Sequence, residues 1–408
     1  MDPQAFKAYR RFIVKLGKML HKYGSPSFRL ESYLIEVANH FGLNSSFIST
    51  PTSIIFMLRT SDQEDEYHHA VRMQPGEIDM AALSLTDEVA AALLAGEISL
   101  AAADQRLDEI DMMQPPYGKV LTLLAYCLAS GAFAMLMGAS VSEIVWSSLL
   151  GALTYIGILG SLQSDRYLAM LEPVTAFVSG LIACAIGYYL DPGINIPIIV
   201  LSSIIILIPG LSLTIGLSEL SSRNLVSGTA RVMDSIMQLF KLFFGAFLGI
   251  SLGFALFGEN VYQAGESLPY WGRWLGVLFL SLALVPIFRI RIKHIPWAVV
   301  GAFIAFGVTV WSSQYVTQGV GSFLGAFALG AFANIFSRIA NQPSSIVAMH
   351  ALILLVPGSK TYMGLDSFIS GKDLVNTQNM GPEVFIIFMS LVAGLIFANV
   401  IVPTRKAL

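Results

Sequence analysis

Residues 201–241 read LSSIIILIPGLSLTIGLSELSSRNLVSGTARVMDSIMQLFK, and the rest of the chain is organised around this stretch. An apolar run breaks at Pro209-Gly210, and the small hydroxyl residues Ser212, Thr214 and Ser218 follow. Because proline lacks a backbone donor and clashes with the preceding turn, we expect the helix to break here. Free backbone groups at membrane depth are tolerated only inside protein or beside a water-filled cavity. The stretch therefore indicates a polar path through a membrane.

A second stretch, residues 352–369, repeats this pattern as LILLVPGSKTYMGLDSFI. Its Pro-Gly pair follows the first by 148 residues, and hydroxyl residues again come directly behind it. Two interrupted apolar segments in corresponding positions are typical of a transporter binding site. The alternative is a pair of kinked helices that only pack together. The residues of the second pattern are Pro357, Gly358, Ser359 and Thr361.

The composition is that of a polytopic α-helical membrane protein. The 408 residues are 55% hydrophobic and 12% charged, and the mean hydropathy is +0.68, whereas soluble domains carry about 25% charged residues. Residues 1–118 hold ten Lys/Arg and sixteen Asp/Glu, and residues 119–408 hold fourteen and eleven. Neither part is basic enough to predict a nucleic-acid partner.

Residues 1–113 alternate between helical and strand patterns. Amphipathic helices are predicted up to Gly24 and up to Gly42, then strands over 47–50, 53–58 and 67–73, and further helices over 79–95 and 99–111. Paired prolines then prevent a continuing helix. We therefore predict a small cytosolic α+β domain over 1–113 and a linker over 114–118.

Ten apolar segments can cross a bilayer, which requires about 20 apolar residues each. Five form a first membrane repeat over 119–258, and five form a second over 271–408, with an extracytoplasmic loop over 259–270. Lys and Arg favour alternate loops, which predicts that both termini are cytoplasmic. Because five is odd, the second repeat enters from the opposite face, and the repeats are inverted. The segments are 119–139, 141–161, 171–190, 194–217, 234–257, 271–288, 296–314, 318–336, 344–362 and 383–402.

The fifth segment carries polar residues on one face. Arg231, Asp234, Gln238 and Lys241 recur at helical spacing, and such a face cannot point at lipid cheaply. We interpret Arg231 and Gln238, together with Glu219, as substrate-binding residues of a path from the cytoplasm. The alternative is that Arg231 and Asp234 lie at the membrane interface, with Lys241 reaching towards the headgroups.

Each helix that restarts after a break presents free N–H groups and the positive end of its dipole, which suits a carboxylate. Small hydroxyl side chains add donors without bulk. We therefore expect a small anionic or zwitterionic substrate, and we expect no cofactor and no metal site. The predicted binding residues are Pro209, Gly210, Ser212, Thr214, Ser218, Glu219, Arg231, Gln238, Pro357, Gly358, Ser359 and Thr361.

Three ionisable residues are candidates for ion coupling. Asp234 and Glu383 occupy equivalent positions in the two repeats, and His350 lies near the centre of the ninth segment. Histidine is the natural proton carrier near neutral pH, although a membrane histidine can instead be a structural hydrogen-bonding residue. The hypothesis is that protons are the coupling ion.

Several motifs carry a family resemblance. HKYGSPSFRLESYL, STPTSIIFMLR, GEISLAAADQRLDEI, IPGLSLTIGLSELSSRNLVSGTARV and the later LVPGS resemble the threonine/serine exporter family, over nearly the whole chain. The resemblance implies a multi-pass exporter of small amino acids in a bacterial inner membrane, driven by an ion gradient. In a branch with separate modules, succinate export is the attributed function, so a dicarboxylate exporter is one alternative. A membrane-tethered enzyme or sensor acting through residues 1–113 is another, a channel is a third, and the sequence leaves homo-oligomer formation open.

Overall fold

The computed structural model describes residues 2–60, 66–258, 262–263, 265–266, 268–358 and 380–404. Its first part is a group of four helices beside a three-stranded antiparallel sheet of order β1-β2-β3. We call this part the N-terminal unit. Its elements are α1 (Pro3–Lys22), α2 (Ser27–His40), β1 (Leu43–Thr50), β2 (Ser53–Thr60), β3 (Tyr67–Arg72), α3 (Met80–Leu94) and α4 (Leu100–Asp111).

Local signals set the boundaries of these elements. Asp2 caps α1, and Pro3 occupies its first turn, where a missing N–H costs nothing. Asp79 and Ser99 cap α3 and α4 through their side-chain oxygens. The buried core of the unit is continuous with apolar residues of the membrane part. That the unit is a separate cytosolic domain stays a prediction.

The membrane part contains apolar helices at all ten predicted positions. Among the described residues, seven helices are long and apolar enough to cross a membrane, or eight if the bent pair around the first break is one span. Two apolar helices, α11 and α14, are shorter, so the number of ten spans stays a prediction. The helices are α5 (Lys119–Leu136), α6 (Val141–Ser161), α7 (Asp165–Tyr189), α8 (Ile196–Ser203), α9 (Gly210–Ser221), α10 (Leu225–Phe257), α11 (Trp271–Ile287), α12 (Ile295–Ser312), α13 (Gln318–Ala340), α14 (Ser345–Leu355) and α15 (Met380–Ile401).

The first Pro-Gly pair breaks its helix as predicted. α8 ends at Ser203, a short 3-10 turn covers Ile205–Leu207, and α9 begins at Gly210. The two halves of this span are bent by 55°. At the second pair, α14 ends at Leu355, just before Pro357. Pro357 therefore follows directly on a helix end, whereas Pro209 stands at the start of α9, after α8 and the 3-10 turn have ended.

The helix that corresponds to the fifth predicted segment, α10, begins earlier than predicted. α10 begins at Leu225, not at residue 234, and runs for 33 residues. Arg231 and Asp234 therefore lie well inside a continuous helix. Nothing in residues 225–233 stops a helix, because the charged and hydroxyl residues there lower hydropathy without breaking the backbone.

Helices in corresponding positions of the two halves of the membrane part pack in the same pairs. In the first half α5 packs on α6, α6 on α7 and α7 on α10, and α8 contacts the first three helices. In the second half α11 packs on α12, α12 on α13 and α13 on α15, and α14 contacts the first three helices. Between the halves, α5 packs on α11, and α9 contacts α14 and α15.

Candidate functional site

The two Pro-Gly breaks meet within the membrane part. A Cβ atom built on Gly210 would lie 3.5 Å from the Cα of Gly358, and one built on Gly358 would lie 3.9 Å from the Cα of Gly210. The methyl groups of Val356 and Ile208 fill the space beside them. Glycine is therefore required here for close approach of two backbones.

A cavity of about 420 Å³ lies beside the paired breaks. Its size is that of a small-molecule site, which typically encloses about 300–1,000 Å³. Apolar residues of α5, α11 and α14 line much of it. We call it the central cavity. Seven residues predicted from the sequence line it, namely Pro209, Gly210, Ser212, Arg231, Asp234, Gln238 and Gly358.

The N-terminus of α9 faces the central cavity. Pro209, Gly210, Leu211 and Ser212 all line it, and no side chain caps this helix end. The first N–H groups of a helix lack partners within the helix and carry its positive dipole end. This wall of the cavity can therefore bind a carboxylate.

A carboxylate and an amide from α10 line the cavity one turn apart. The side-chain amide Nε2 of Gln238 donates to Oδ2 of Asp234 over 2.9 Å. No described donor binds the other carboxylate oxygen of Asp234, which leaves it able to accept from a cation. The predicted polar face of α10 thus reaches the cavity. Further along the same face, Lys241 lies 3.7 Å from Glu172 of α7.

Arg231 pairs with Glu219, not with Asp234. Its Nε and Nη2 donate to the two carboxylate oxygens of Glu219 over 3.2 and 3.3 Å. The side chain of Glu219 is fully buried and also accepts from the backbone N–H of Ser27 and from Oγ of Ser227, each over 2.9 Å. Glu219 therefore ties α9 and α10 to the N-terminal unit and does not line the cavity.

The N-terminal unit forms one wall of the central cavity, which the sequence reasoning did not anticipate. Pro51, Pro75, Gly76 and Ile78 line it. Proline and glycine in the sequence indicate turns at these positions, but a turn pattern does not indicate which part of the protein the turn contacts. The unit is thus part of the candidate site and not only a neighbour.

Ion pairs fix the N-terminal unit on the loop after α11. Asp79 accepts from Arg289 over 2.9 Å. Glu88 lies 2.7 Å from Arg291 and 3.1 Å from Lys293. Burial alone would raise the pKa of Glu88, but hydrogen bonds from Lys293 and Arg291 outweigh it and lower that pKa. The carboxylate is therefore charged at neutral pH, and the contact is an ionic one.

Other predicted residues lie away from the central cavity. Thr214 and Ser218 line a smaller cavity on another side of α9, and Oγ1 of Thr214 donates to the carbonyl of Gly210. Pro357 is adjacent to the lining residue Gly358 but does not itself line the cavity. Ser359 and Thr361 lie outside the described residues.

The three ion-coupling candidates are not brought into one cluster by any described contact. His350 is fully buried, and its Nε2 lies 2.9 Å from Oγ of Ser281. Its ring packs edge-on against Phe288, which lines the central cavity, so His350 lies one layer behind that wall. Glu383 lies half-buried in the first turn of α15.

Comparison with known families assigns the chain. Residues 11–253 match a family model for threonine/serine exporters, ThrE, and residues 273–401 match a second model described as "Threonine/Serine exporter, ThrE". The chain belongs to the threonine/serine exporter family. The two family modules coincide with the two halves of the membrane part, and the first also includes most of the N-terminal unit.

Yeast proteins named "Pheromone-regulated membrane protein 10" are similar to this family member. The protein from Eremothecium gossypii is 27% identical over 381 residues, which cover 90% of this chain and 50% of that protein. The protein from Saccharomyces cerevisiae (strain YJM789) is 25% identical over 384 residues, covering 90% and 48%. The chain thus spans about half the length of these relatives. No solved structure matches it.

Proposed function

We propose that this chain is a secondary transporter that exports threonine, serine or a similar small amino acid. The observation that carries the proposal is the central cavity, which joins the N-terminus of α9 and the carboxylate of Asp234 beside two paired helix breaks. The positive helix end would bind the substrate carboxylate, and Asp234 would bind its ammonium group. Family membership supports the same class of function.

The charge of the cavity favours an amino acid over a dicarboxylate. Among the described lining residues Arg231 is the one cation, and Glu219 already neutralises it. The second carboxylate of a substrate such as succinate would have to lie near Asp234, which would repel it. Export of a dicarboxylate is therefore the second candidate, and an enzyme or sensor in the N-terminal unit is the third.

Alternating access would use the two halves as inverted repeats. The matching helix pairs within each half support this relationship, as does the direct approach of Gly210 to Gly358. In this mechanism the halves rock about the paired breaks and expose the cavity to each side in turn. The N-terminal unit, which forms a wall of the cavity, would move as the cytoplasmic side opens.

Proton coupling is the proposed source of energy. Asp234 lines the cavity and is the first choice, with Glu383 and His350 as the other candidates. Protonation of Asp234 would release the substrate ammonium group by removing its counter-charge. The N-terminus would lie in the cytoplasm, as the Lys and Arg residues of the loops predict. The bacterial inner membrane stays a prediction, since the relatives from Eremothecium gossypii and Saccharomyces cerevisiae are yeast proteins.

Counterflow in proteoliposomes tests the proposal. Vesicles loaded with unlabelled threonine should accumulate labelled threonine or serine, and labelled succinate should accumulate much less. Asp234→Asn should abolish threonine counterflow or uncouple it from a proton gradient. The matched control is Glu109→Gln, because Glu109 is exposed on α4 away from the cavity. Counterflow of succinate alone would favour the dicarboxylate exporter, and no counterflow of any of the three would contradict the transport proposal.

A further inference from the structure

A second cavity of about 100 Å³ lies between the N-terminal unit and the second half of the membrane part. Its walls come from α2, α9, α13, α14 and α15. We call it the seam cavity. It is separate from the central cavity because α9 stands between them. Thr214 and Ser218 line the seam cavity, and Gly210 and Ser212 line the central one.

Arg29 of α2 brings a cation to the seam cavity without a carboxylate to balance it. Its Nη1 donates to Oγ of Ser344 over 2.9 Å. Across the described part of the chain no acidic side chain forms an ion pair with Arg29. Burial lowers the pKa of its guanidinium to about 10, with no neighbouring charge contributing. A guanidinium offers five N–H donors in a fork that matches a carboxylate, and most of these remain available here.

The N-terminus of α14 reaches the same cavity. Ser344 and Ser345 begin this 11-residue helix, and both line the cavity. Ser345 is 4% exposed, and in the described structure its Oγ has no hydrogen-bond partner. A buried hydroxyl without a partner is destabilising, so a ligand that supplies an acceptor is favoured. The N–H groups of Ile346 and Val347 donate to the carbonyls of Pro343 and Ser344, each over 3.3 Å, so this helix end contributes chiefly the positive end of its dipole.

We propose that the seam cavity binds a small organic carboxylate between the guanidinium of Arg29, the hydroxyl of Ser345 and the N-terminus of α14. A helix N-terminus and an arginine fork are both established ways of holding a carboxylate. The hydroxyl of Ser345 then gains the acceptor that it lacks. The site is distinct from the central cavity, and the proposal does not require that threonine is the transported substrate.

The remaining walls of the seam cavity favour an organic ligand over an inorganic anion. Met349, Leu352 and Leu395 form an apolar side opposite the polar groups. At roughly 10–15 Å³ for each water-sized group, the volume holds roughly seven to ten such groups. A molecule with one carboxylate and a short carbon chain has this size. Inorganic phosphate would leave the apolar side uncovered and would place two charges against one cation.

An introduced thiol can report on this site without a transport assay. The purified full chain would carry Cys127→Ala, Cys184→Ala and Ala348→Cys, which places one thiol in the wall of the seam cavity and keeps the hydroxyl of Ser345, and a methanethiosulfonate reagent would modify that thiol. Propionate and L-threonine should slow the modification, whereas the neutral alcohol threoninol and inorganic phosphate should not. Arg29→Gln should raise the carboxylate concentration needed for protection by roughly tenfold to hundredfold, the effect of a hydrogen bond to a charged group. Arg29→Lys keeps the charge and should retain much of the protection.

Three results would overturn the proposal. The first is a thiol that does not react with the reagent, and the second is that carboxylates give no protection. The third is protection without specificity, in which Arg29→Gln is protected as well as the chain with Arg29, or phosphate protects as well as a carboxylate. Thermal unfolding of each variant shows whether lost protection reflects misfolding. If Arg29→Gln is misfolded, Arg29→Lys tests the proposal instead, since it keeps the charge and should retain much of the protection. Glu109→Gln, an exposed position on α4 that lines neither cavity, should leave the protection unchanged. The transport proposal fails separately, through absent counterflow in the unsubstituted chain.

Discussion

The contact between the two helix breaks can be tested by adding a single methyl group. In Gly210→Ala the new Cβ would lie 2.5 Å from Cγ1 of Val356. Carbon atoms pack at about 3.5–4.0 Å, so one side must move by about 1 Å. Val356 is β-branched and has little freedom at χ1, and it directly precedes Pro357. We therefore expect the two breaks to be pushed apart.

The size of the effect follows from the geometry. Adding a methylene-sized group to a well-packed core costs about 1–3 kcal/mol, and Gly210→Ala should lie in this range. In Gly358→Ala the new Cβ would lie 3.1 Å from Cγ2 of Ile208. A shift of a few tenths of an ångström relieves that contact, so its cost should be below about 1 kcal/mol. The two alanine variants are thus matched, with one severe and one mild.

A double-mutant cycle isolates the contact. Val356→Ala removes the methyl group that Gly210→Ala meets, so the double variant should recover part of the lost stability. The expected coupling energy lies within the range of about 0.5–3 kcal/mol found for residues in contact. Thermal unfolding in detergent gives the stabilities, and labelled-threonine counterflow gives the activities. The bulkier Gly210→Leu should abolish counterflow while the protein still reaches the membrane.

Two outcomes would refute this reasoning. Gly210→Ala could be as mild as Gly358→Ala, or Val356→Ala could fail to rescue it. Either result would mean that the two breaks do not touch in the working protein. The central cavity would then not lie at a meeting point of the two halves, and the rocking mechanism would lose its pivot.

Three further predictions concern the N-terminal unit and the topology. Glu219→Gln should lower the free energy of unfolding by about 1.5–3 kcal/mol, because it replaces the charged partner of Arg231, whose side chain is itself 20% exposed, by a neutral one, and thermal unfolding that matches the Glu109→Gln control would contradict this. Burial lowers the pKa of His21 below its usual value of about 6.5. The unfolded chain therefore takes up the proton first, and the free energy of unfolding should fall as the pH drops below about 6.5. His21→Gln should weaken this pH dependence in thermal unfolding at a series of pH values, and an unchanged dependence would show that other groups cause it. On whole cells an impermeant thiol reagent should label Gln263→Cys but not Ile292→Cys in a cysteine-free chain, and the reverse pattern would invert the proposed orientation.

Local sequence patterns predicted the helix breaks and most of the helices. Proline acts on its own turn, so helix breaks could be predicted at Pro209 and Pro357 without knowledge of their surroundings. Capping residues act within three positions, so Asp79 and Ser99 fix the starts of α3 and α4 locally. Apolar length placed the membrane helices in the same way. Helical spacing put Asp234 and Gln238 on one face, and both line the central cavity.

The partners of the charged residues were decided only by the tertiary structure. From its spacing, Arg231 could pair with Asp234, but the turn between α9 and α10 brings Glu219 to it instead. The same folding places Ser27 on Glu219 across 192 positions of the chain. Helix periodicity relates residues a few positions apart, whereas a contact across many turns depends on how separate helices pack. For this reason the sequence indicated the polar breaks, and only the packing of the halves brought them, and the N-terminal unit, around one cavity.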